Sequence, residues 1–299
     1  MKQYRLIAIL IVLSISGFSF DTEAREVSDA VNRRVTVPDL PKRVVALAPS
    51  VTEIVFAIGR QDLLKGVTQY SNYPPEAGAI YKVGSYVKLD LERIVALKPD
   101  LCIATKDGNP KEIVERLMSL GICVYVIDPR SLDTMLDSIT QIGVLLNATD
   151  AACALVRSLQ NRIDEVARLV ANVEHRPKVF IQIGVTPIVS VGTQTFIHEL
   201  IERAGGVNLA RGDTPYPRFS REQVLALAPE VIIITSMDRA AVFEQIKAQW
   251  SRWPTIQAAK NQRIYVEDSD LFDRPTPRLV DALERLIRLI HPALFKEVP

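Results

Sequence analysis

The side chains that most often carry catalysis or bind metals are few and scattered in this sequence. It has three histidines, His175, His198 and His291, and no two of them have the i, i+4 spacing of a metal-binding helix. The three cysteines show no C-x-x-C spacing; Cys102 and Cys123 read as small buried residues, whose bonding the sequence leaves open. Sequences of the type G-x-G-x-x-G, Walker A or G-x-S-x-G do not occur. We therefore expect that the protein is not an enzyme, and we assign no catalytic or metal-binding residue.

Two tyrosines and two glutamates recur 130 residues apart in the sequence: Tyr86 with Tyr216, and Glu92 with Glu222. Residues 90–104 and 220–234 align at this offset, and each has a helix-capping residue, a short helix, a proline and an apolar strand. We expect two lobes of similar design; convergence on an ordinary helix–strand unit is the alternative. Because aromatic rings give wide apolar contact at little cost in rotamer entropy, facing tyrosines suit a large flat ligand.

The repeated carboxylates Glu92 and Glu222 have two interpretations. Each lies in the first turn of a predicted helix, where a negative charge complements the helix dipole. Alternatively, two carboxylates at equivalent places on two lobes form matched docking points for a dimeric partner that presents cations. Charge pairs of that kind set orientation and association rate more than affinity.

The segment Asp270-Leu271-Phe272-Asp273-Arg274 combines acids, an aromatic ring and an arginine directly after a predicted strand. Loops at the ends of parallel strands commonly carry ligand-binding groups. We therefore treat all five residues as candidate ligand contacts, with a surface loop of no special role as the alternative.

These residues are positioned by a regular alternation of predicted strands and helices. Alternation of this kind favours parallel sheets with crossover helices. Residues 50–53 have the S-x-x-E form of a capping box at the start of a helix. The predicted strands are 44–48, 101–104, 123–127, 179–183 and 263–266, and the predicted helices are 50–58, 91–97 and 111–120.

One helical pattern, residues 150–172, is longer than the others. At 1.5 Å per residue it spans roughly 35 Å, about the width of a small domain. A helix of this length between two α/β units predicts a stiff strut and only a small conformational change on ligand binding. One face is kept apolar by Leu155, Leu159, Ile163, Val166 and Val170.

Composition and the N-terminus indicate an exported globular protein. The chain has 299 residues, a formal net charge of +1 and 48% hydrophobic residues, which gives no electrostatic basis for binding nucleic acid. Lys2 and Arg5 precede an apolar run, and small residues precede a cleavage point after Ala24, which is the layout of a signal peptide over residues 1–24. An uncleaved anchor is the alternative. No cysteine directly follows the run, so we expect an unlipidated protein in the periplasm.

From about residue 43 to residue 290 the chain resembles the periplasmic vitamin B12-binding proteins of ABC importers, within the broader siderophore, haem and cobalamin solute-binding group. Some of its motifs are shared by the whole group, namely PSVTE at 49–53 and LERIVALKPD at 91–100. Others resemble the cobalamin branch more particularly, namely YSNYPP at 70–75, SREQVL at 220–225 and SDLFDR at 269–274.

The resemblance implies an α/β fold of two Rossmann-like lobes joined by one long rigid helix, with the ligand in the cleft between the lobes. The expected divisions are a signal peptide (1–24), an N-terminal extension (25–42), a first lobe (43–148), a connecting helix (149–173) and a second lobe (177–299).

The resemblance also implies roles for particular residues. Tyr70 and the segment 270–274 align with residues that contact the corrinoid. Tyr86 and Tyr216 fall where the family often has cleft tryptophans, and Leu271 replaces a further tryptophan, so the stacking area is smaller here. The glutamates that align with Glu92 and Glu222 dock on arginines of the two membrane subunits.

The expected function is capture without chemistry. A monomer binds cobalamin or a related corrinoid as transported ligand, with no cofactor of its own, and docks on a dimeric ABC permease of the inner membrane that carries a cytoplasmic ATPase. Haem, for which a cleft tyrosine could be the axial ligand, and a ferric siderophore are the alternative ligands. An exported ligand sensor is the alternative of a different class.

Overall fold

The structure of the chain is a computed structural model that describes residues 24–235 and 240–295. The predicted signal peptide, residues 1–24, lies outside these ranges apart from Ala24. Among the helices in these ranges, none is both long and apolar enough to cross a lipid bilayer.

A β-hairpin occupies the segment that the sequence marks only as an N-terminal extension. Its strands, β1 (Ala24–Ser28) and β2 (Arg34–Pro38), pair antiparallel. Val35 and Val37 of β2 enter the hydrophobic core, and the Ala30 N–H donates to the carbonyl of Val126 at 3.0 Å. The hairpin is therefore packed on the first lobe.

The first lobe is built on a four-stranded parallel sheet with helices on both faces. Val44 and Ala46 contact one core cluster, and Val45 and Leu47 contact another on the opposite face, as is typical of a sheet that is covered on both sides. The strands are β3 (Val44–Ala46), β4 (Leu64–Val67), β5 (Leu101–Thr105) and β6 (Val124–Ile127), and they lie in the order β4-β3-β5-β6. The helices are α1 (Pro49–Ala57), α2 (Leu91–Ala96), α3 (Lys111–Ser119) and α4 (Leu132–Leu145).

Helix α1 lacks the capping box that the S-x-x-E sequence predicted. Its N-cap is Ala48, which makes no side-chain cap, and Pro49 occupies the first turn, where its missing N–H costs no hydrogen bond. The helix thus starts earlier than expected, and Glu53 lies beyond the first turn. The prediction was wrong because Glu53 pairs with the second lobe instead.

A single unbroken helix, α5 (Thr149–Val170), connects the two lobes. Against the first lobe it packs tightly, since a Cβ added to Gly143 of α4 would lie 2.3 Å from the Cβ of Ala152. Against the second lobe Arg162 donates to Glu284 at 2.7 Å. One continuous apolar core runs through α4, α5 and the second lobe, so α5 is held on both sides.

The second lobe repeats the first. Its parallel strands are β7 (Lys178–Gln182), β9 (Val207–Asn208), β11 (Val231–Ile234) and β12 (Ile264–Val266), in the order β12-β11-β7-β9. A small antiparallel pair, β8 (Ile188–Val189) and β10 (Arg218–Phe219), lies apart from this sheet. The helices are α6 (Phe196–Arg203), α7 (Arg221–Ala226), α8 (Ala240–Ser251), α9 (Gln257–Lys260), α10 (Ser269–Phe272) and α11 (Leu279–Ile290).

The 130-residue repeat is a structural repeat. In each lobe the strand after the repeated helix lies beside the lobe's first strand, so that β5 beside β3 corresponds to β11 beside β7. The acidic residue after the proline closes the unit: Asp100 accepts from the backbone N–H of Arg43 at 3.0 Å, and Glu230 from that of Lys178 at 2.8 Å. The α/β fold of two similar lobes joined by one long helix is confirmed.

Candidate functional site

A cleft of about 570 Å³ lies between the two lobes. Its walls come from segments that follow the carboxyl ends of parallel strands in both sheets, which is where open α/β folds usually bind ligands. The first lobe contributes Ser50 after β3 and Thr105 at the end of β5, and the second contributes Gly184 after β7 and Ser269 after β12. The volume lies within the range typical of small-molecule sites.

Three tyrosines line this cleft. Tyr70 and Tyr86 of the first lobe meet edge to face, with ring centroids 6.3 Å apart and an interplanar angle of 68°. Tyr216 enters from the second lobe. Tyr70 is 48% exposed and Tyr216 is 43% exposed, so their rings offer apolar surface to a ligand. Phe196 at the start of α6 adds a fourth ring.

Tyr86 is held by the buried side chain of Asn109. The Asn109 amide donates to the carbonyl of Tyr86 at 2.9 Å and to that of Leu47 at 2.8 Å, and its oxygen accepts from the N–H of Thr105 at 2.8 Å. The turn before Tyr86 depends on Gly84, whose φ of 98° favours glycine and where a Cβ would lie 2.6 Å from a backbone oxygen.

Tyr70 lies in a loop that is anchored by buried hydroxyls on either side of it. The Ser71 hydroxyl lies 2.9 Å from the hydroxyls of both Thr52 and Thr68. The Lys82 ammonium donates to the carbonyl of Ser71 at 3.0 Å. Because these partners are fixed by α1 and by the end of β4, the ring of Tyr70 is presented from an ordered loop.

Tyr216 lies in the segment that leads into β10. The N–H of Gly192 donates to the carbonyl of Pro215 at 2.8 Å, and the N–H of Ser190 donates to that of Pro217 at 3.0 Å. These backbone bonds bracket Tyr216 and hold it against the cleft.

The cleft also contains two carboxyl groups, Asp107 from the first lobe and Asp273 from the second. The hydroxyl of Thr235 donates to Asp273 at 2.8 Å. Burial raises the pKa of the Asp273 carboxyl to about 8, and it does so against the hydroxyl of Thr235 and the charge of Arg274, which act to lower the pKa. At neutral pH most Asp273 side chains are therefore protonated.

A buried ion pair joins the lobes beside the cleft. Glu53 of α1, 4% exposed, accepts two hydrogen bonds from Arg278, at 2.8 and 2.9 Å. Arg274 lies 3.6 Å from the same carboxylate. The guanidinium of Arg278 also stacks on the ring of Tyr73, 3.8 Å from its centroid.

A second polar contact between the lobes adjoins this pair. Asn72 donates to Asp270 at 2.7 Å and accepts from Arg274 at 2.8 Å. Arg274 and Asp270 also form an ion pair. The guanidinium N–H groups of Arg274 thus donate to side chains of the protein itself.

The structure brings Tyr70, Tyr86, Tyr216, Asp273 and Arg274 to the cleft wall. It does not bring the other three predicted ligand contacts there. Asp270 is in the contact between the lobes, Leu271 packs against the core, and Phe272 is fully buried in it. These three residues belong to the short helix α10 and do not line the cleft. Within the segment 270–274, Asp273 and Arg274 therefore remain as candidate ligand contacts.

The roles of Asp107 and Phe196 in the cleft wall and of Asn109 behind Tyr86 were not predicted from the sequence. Asp107 could have been predicted, because it follows the strand β5 just as the segment 270–274 follows the strand β12. Asn109 and Phe196 carried no signal, because an asparagine that bridges two loops and an aromatic residue at a helix start are common in any α/β protein.

The two candidate docking carboxylates, Glu92 and Glu222, are exposed at the starts of α2 and α7. The predicted N-caps are present, since Asp90 accepts from the N–H of Arg93 and Ser220 from that of Gln223. The backbone N–H of Glu222 and the Ser220 hydroxyl lower the pKa of the Glu222 carboxyl. In the part of the chain that the structure describes, no group of three His, Cys, Asp or Glu side chains is placed to hold a metal ion.

Comparison with protein families places most of the chain in one of them. The sequence model of a family described as periplasmic binding protein matches residues 44–271. The chain is 33% identical to an uncharacterized ABC transporter substrate-binding lipoprotein of Bacillus subtilis, over 91% of this chain and 87% of that protein. It is 36% identical to a vitamin B12-binding protein of Salmonella paratyphi A, over 82% of this chain and 88% of that protein.

Solved structures of the same fold bind different ligands. The periplasmic vitamin B12-binding protein of Vibrio cholerae has a TM-score of 0.75 at 29% identity, covering 86% of this chain and 99% of that one. A periplasmic haem-binding protein of Pseudomonas aeruginosa has a TM-score of 0.77 at 27% identity, covering 85% of this chain and 94% of that one.

Proposed function

Because the chain belongs to the periplasmic binding protein family, we propose that it captures cobalamin or a related corrinoid between its lobes and delivers it to an ABC importer. The observation that carries this proposal is that tyrosines from both lobes, Tyr70 and Tyr86 on one side and Tyr216 on the other, line one cleft. A corrin ring is broad, rigid and mostly apolar on its faces, so it suits such walls. The vitamin B12-binding relatives support the same ligand.

The tie between the lobes favours a preformed cleft over one that closes on the ligand. The helix α5 is packed on both lobes, and Glu53 of the first lobe is buried against Arg278 of the second. Opening the cleft widely would break this ion pair in a site that has little access to water. We therefore infer that the lobes move little when the ligand binds.

We infer further that the loaded protein docks on a dimeric permease through Glu92 and Glu222. The two carboxylates are exposed, stand at equivalent positions on the two lobes and are 130 residues apart. A pair of arginines on a two-fold symmetric partner would complement them, and the matched pairs would set the orientation of the complex. The permease lies in the inner membrane with its ATPase on the cytoplasmic side, and the binding protein acts as a monomer.

Delivery of this kind requires the protein on the outer face of the inner membrane, which the periplasmic binding protein family supports. We propose an unlipidated periplasmic protein, because the sequence after the apolar N-terminal run offers no cysteine for lipid attachment. The Bacillus subtilis relative, by contrast, is named a lipoprotein.

Haem is the second candidate ligand. A tyrosine oxygen can serve as an axial ligand to haem iron, and the cleft offers three tyrosines. The haem-binding protein of the same fold supports this alternative.

Titration of the purified protein with cyanocobalamin, haemin and a ferric hydroxamate separates these ligands. Tyrosine fluorescence or calorimetry should give saturable binding of the corrinoid at one molecule per chain. Saturable binding of haemin alone would overturn the corrinoid assignment and leave the family role intact.

A further inference from the structure

The cations nearest the cleft are already paired with carboxylates. Arg274, whose side chain is 12% exposed, contacts Asp270, Glu53 and Asn72. At the rim of the cleft, Asp128 forms one ion pair with the guanidinium of Arg130 at 2.8 Å and another with the ammonium of Lys106 at 3.2 Å. Within the described residues, a negatively charged ligand group would have to compete with these pairs.

Two carboxyl groups on the wall have no cationic partner at ion-pair distance within the described residues. Asp107 is exposed and follows β5 on the first lobe, and Asp273 follows α10 on the second. Tyr216 lines the same cleft, and burial first, followed by the charges of Asp107 and Asp273, raises the pKa of its hydroxyl. The two acids therefore act on the same part of the cleft, from opposite lobes.

The hydrogen bonds that the Asp273 side chain can make depend on pH, because its carboxyl group is either protonated or ionised. When protonated, it can both donate a hydrogen bond to an amide oxygen and accept one from an amide N–H. When ionised, it only accepts, and it repels a carboxylate. Burial raises its pKa to about 8, the hydroxyl of Thr235 and the charge of Arg274 act to lower it, and Asp270 and Asp268 act to raise it. Its charge in turn acts on the hydroxyl of Tyr216.

We propose that Asp107 and Asp273 make the cleft select macrocycles whose edge carries uncharged amides over macrocycles whose edge carries carboxylates. This inference rests on the proposed function and names the class of ligand that the site accepts. Amidated corrinoids satisfy it, whereas haem and corrinoids with free carboxyl groups do not. Asp107 contributes to this selection from the first lobe, and Asp273 adds to it once it loses its proton.

The test compares cyanocobalamin with its b-, d- and e-monocarboxylic acids, in each of which one peripheral amide is replaced by a carboxylate. The measured quantity is the ratio of the dissociation constants of acid and amide, by calorimetry at pH 6, 7 and 9. For the wild type we expect at least one acid to bind about tenfold more weakly at pH 7, which corresponds to about 1.4 kcal/mol, and the ratio to increase at pH 9.

Two variants separate the two acids. Asp107→Asn should lower the ratio at every pH, and Asp273→Asn should remove its increase between pH 7 and pH 9. Asp137→Asn, on the exposed side of α4 away from the cleft, is the matched control and should keep the wild-type ratio. Since only ratios are compared, a general loss of affinity does not affect the result.

Three outcomes are distinguishable. Ratios near one for all three acids in the wild type, or wild-type ratios in both cleft variants, overturn this inference and leave corrinoid capture standing. Absence of binding by cyanocobalamin itself overturns the proposed function and this inference with it. A ratio that falls in the Asp107→Asn variant but not in the control supports the inference.

Discussion

The ion pair between Glu53 and Arg278 should be among the strongest single contacts that hold the lobes together. Glu53 is 4% exposed and accepts two hydrogen bonds from the Arg278 guanidinium, at 2.8 and 2.9 Å. Replacing Glu53 with Gln keeps its shape and removes its charge. Arg278, whose side chain is 16% exposed, would then lack its carboxylate.

Removing one partner of a buried ion pair typically costs 3–5 kcal/mol, because the other charge stays buried without compensation. Here some compensation remains. Arg278 keeps its contact with the ring of Tyr73 and a long hydrogen bond to the carbonyl of Asp270. Arg274 keeps its ion pair with Asp270. We therefore expect a loss of about 3 kcal/mol, which for a protein of this size lowers Tm by about 6 °C.

Thermal and urea unfolding of Glu53→Gln, Arg278→Met and the double variant form a double-mutant cycle, which isolates the coupling between the two side chains. We expect a coupling of about 2 kcal/mol. The control is the same cycle on Glu115→Gln and Lys111→Met, because these two residues pair on the exposed surface of α3, where such pairs contribute less than about 1 kcal/mol. A coupling as small as that of the control, or a Glu53→Gln protein as stable as the wild type, would show that the Glu53–Arg278 pair contributes little to stability.

Three further sets of variants test other parts of the structure. Asn109→Ala leaves three backbone groups without their partner and frees the loop of Tyr86, so stability should fall by about 3 kcal/mol in urea unfolding and ligand affinity should fall about tenfold; an unchanged affinity would contradict the positioning role. The Asp273 carboxyl keeps its proton to about pH 8 when folded but loses it near pH 4 when unfolded, so native stability falls as the pH rises between these values. Asp273→Asn should therefore stabilise the protein more at pH 9 than at pH 5, by up to about 4 kcal/mol at about 1.4 kcal/mol per pH unit, and an equal gain at both pH values would count against the raised pKa. Reversing both charges, Glu92→Lys with Glu222→Lys, should abolish corrinoid uptake by cells while the purified protein binds its ligand normally; a collapse of ligand affinity would place these carboxylates in the cleft.

Much of the fold could be predicted because its repeating unit is local. The cap, short helix, proline and strand at residues 90–104 and 220–234 are adjacent in the sequence, and each of these features has its own sequence signal. The offset between the copies then predicted that Tyr86 and Tyr216 occupy equivalent loops. That both line one cleft follows from placing two such lobes face to face.

The contacts between the lobes could not be predicted in the same way. Glu53 and Arg278 are 225 residues apart, and the sequence around Glu53 has the form of a capping box. Local pattern and long-range pairing thus competed for one side chain, and the buried pairing prevailed. The burial that separates Asp273 and Arg274 from Leu271 and Phe272 is likewise set by tertiary packing.

The most direct test of the account is calorimetric titration of the wild type and of the variant Tyr86→Ala with Tyr216→Ala, using cyanocobalamin. We expect one corrinoid per wild-type chain and, since each ring contributes apolar contact from its own lobe, an affinity at least about a hundredfold lower in the variant. The double variant Tyr86→Phe with Tyr216→Phe, which keeps the rings, should bind nearly as tightly as the wild type. Wild-type affinity in the chain that lacks both rings would contradict the claim that the two lobes grip the ligand between them.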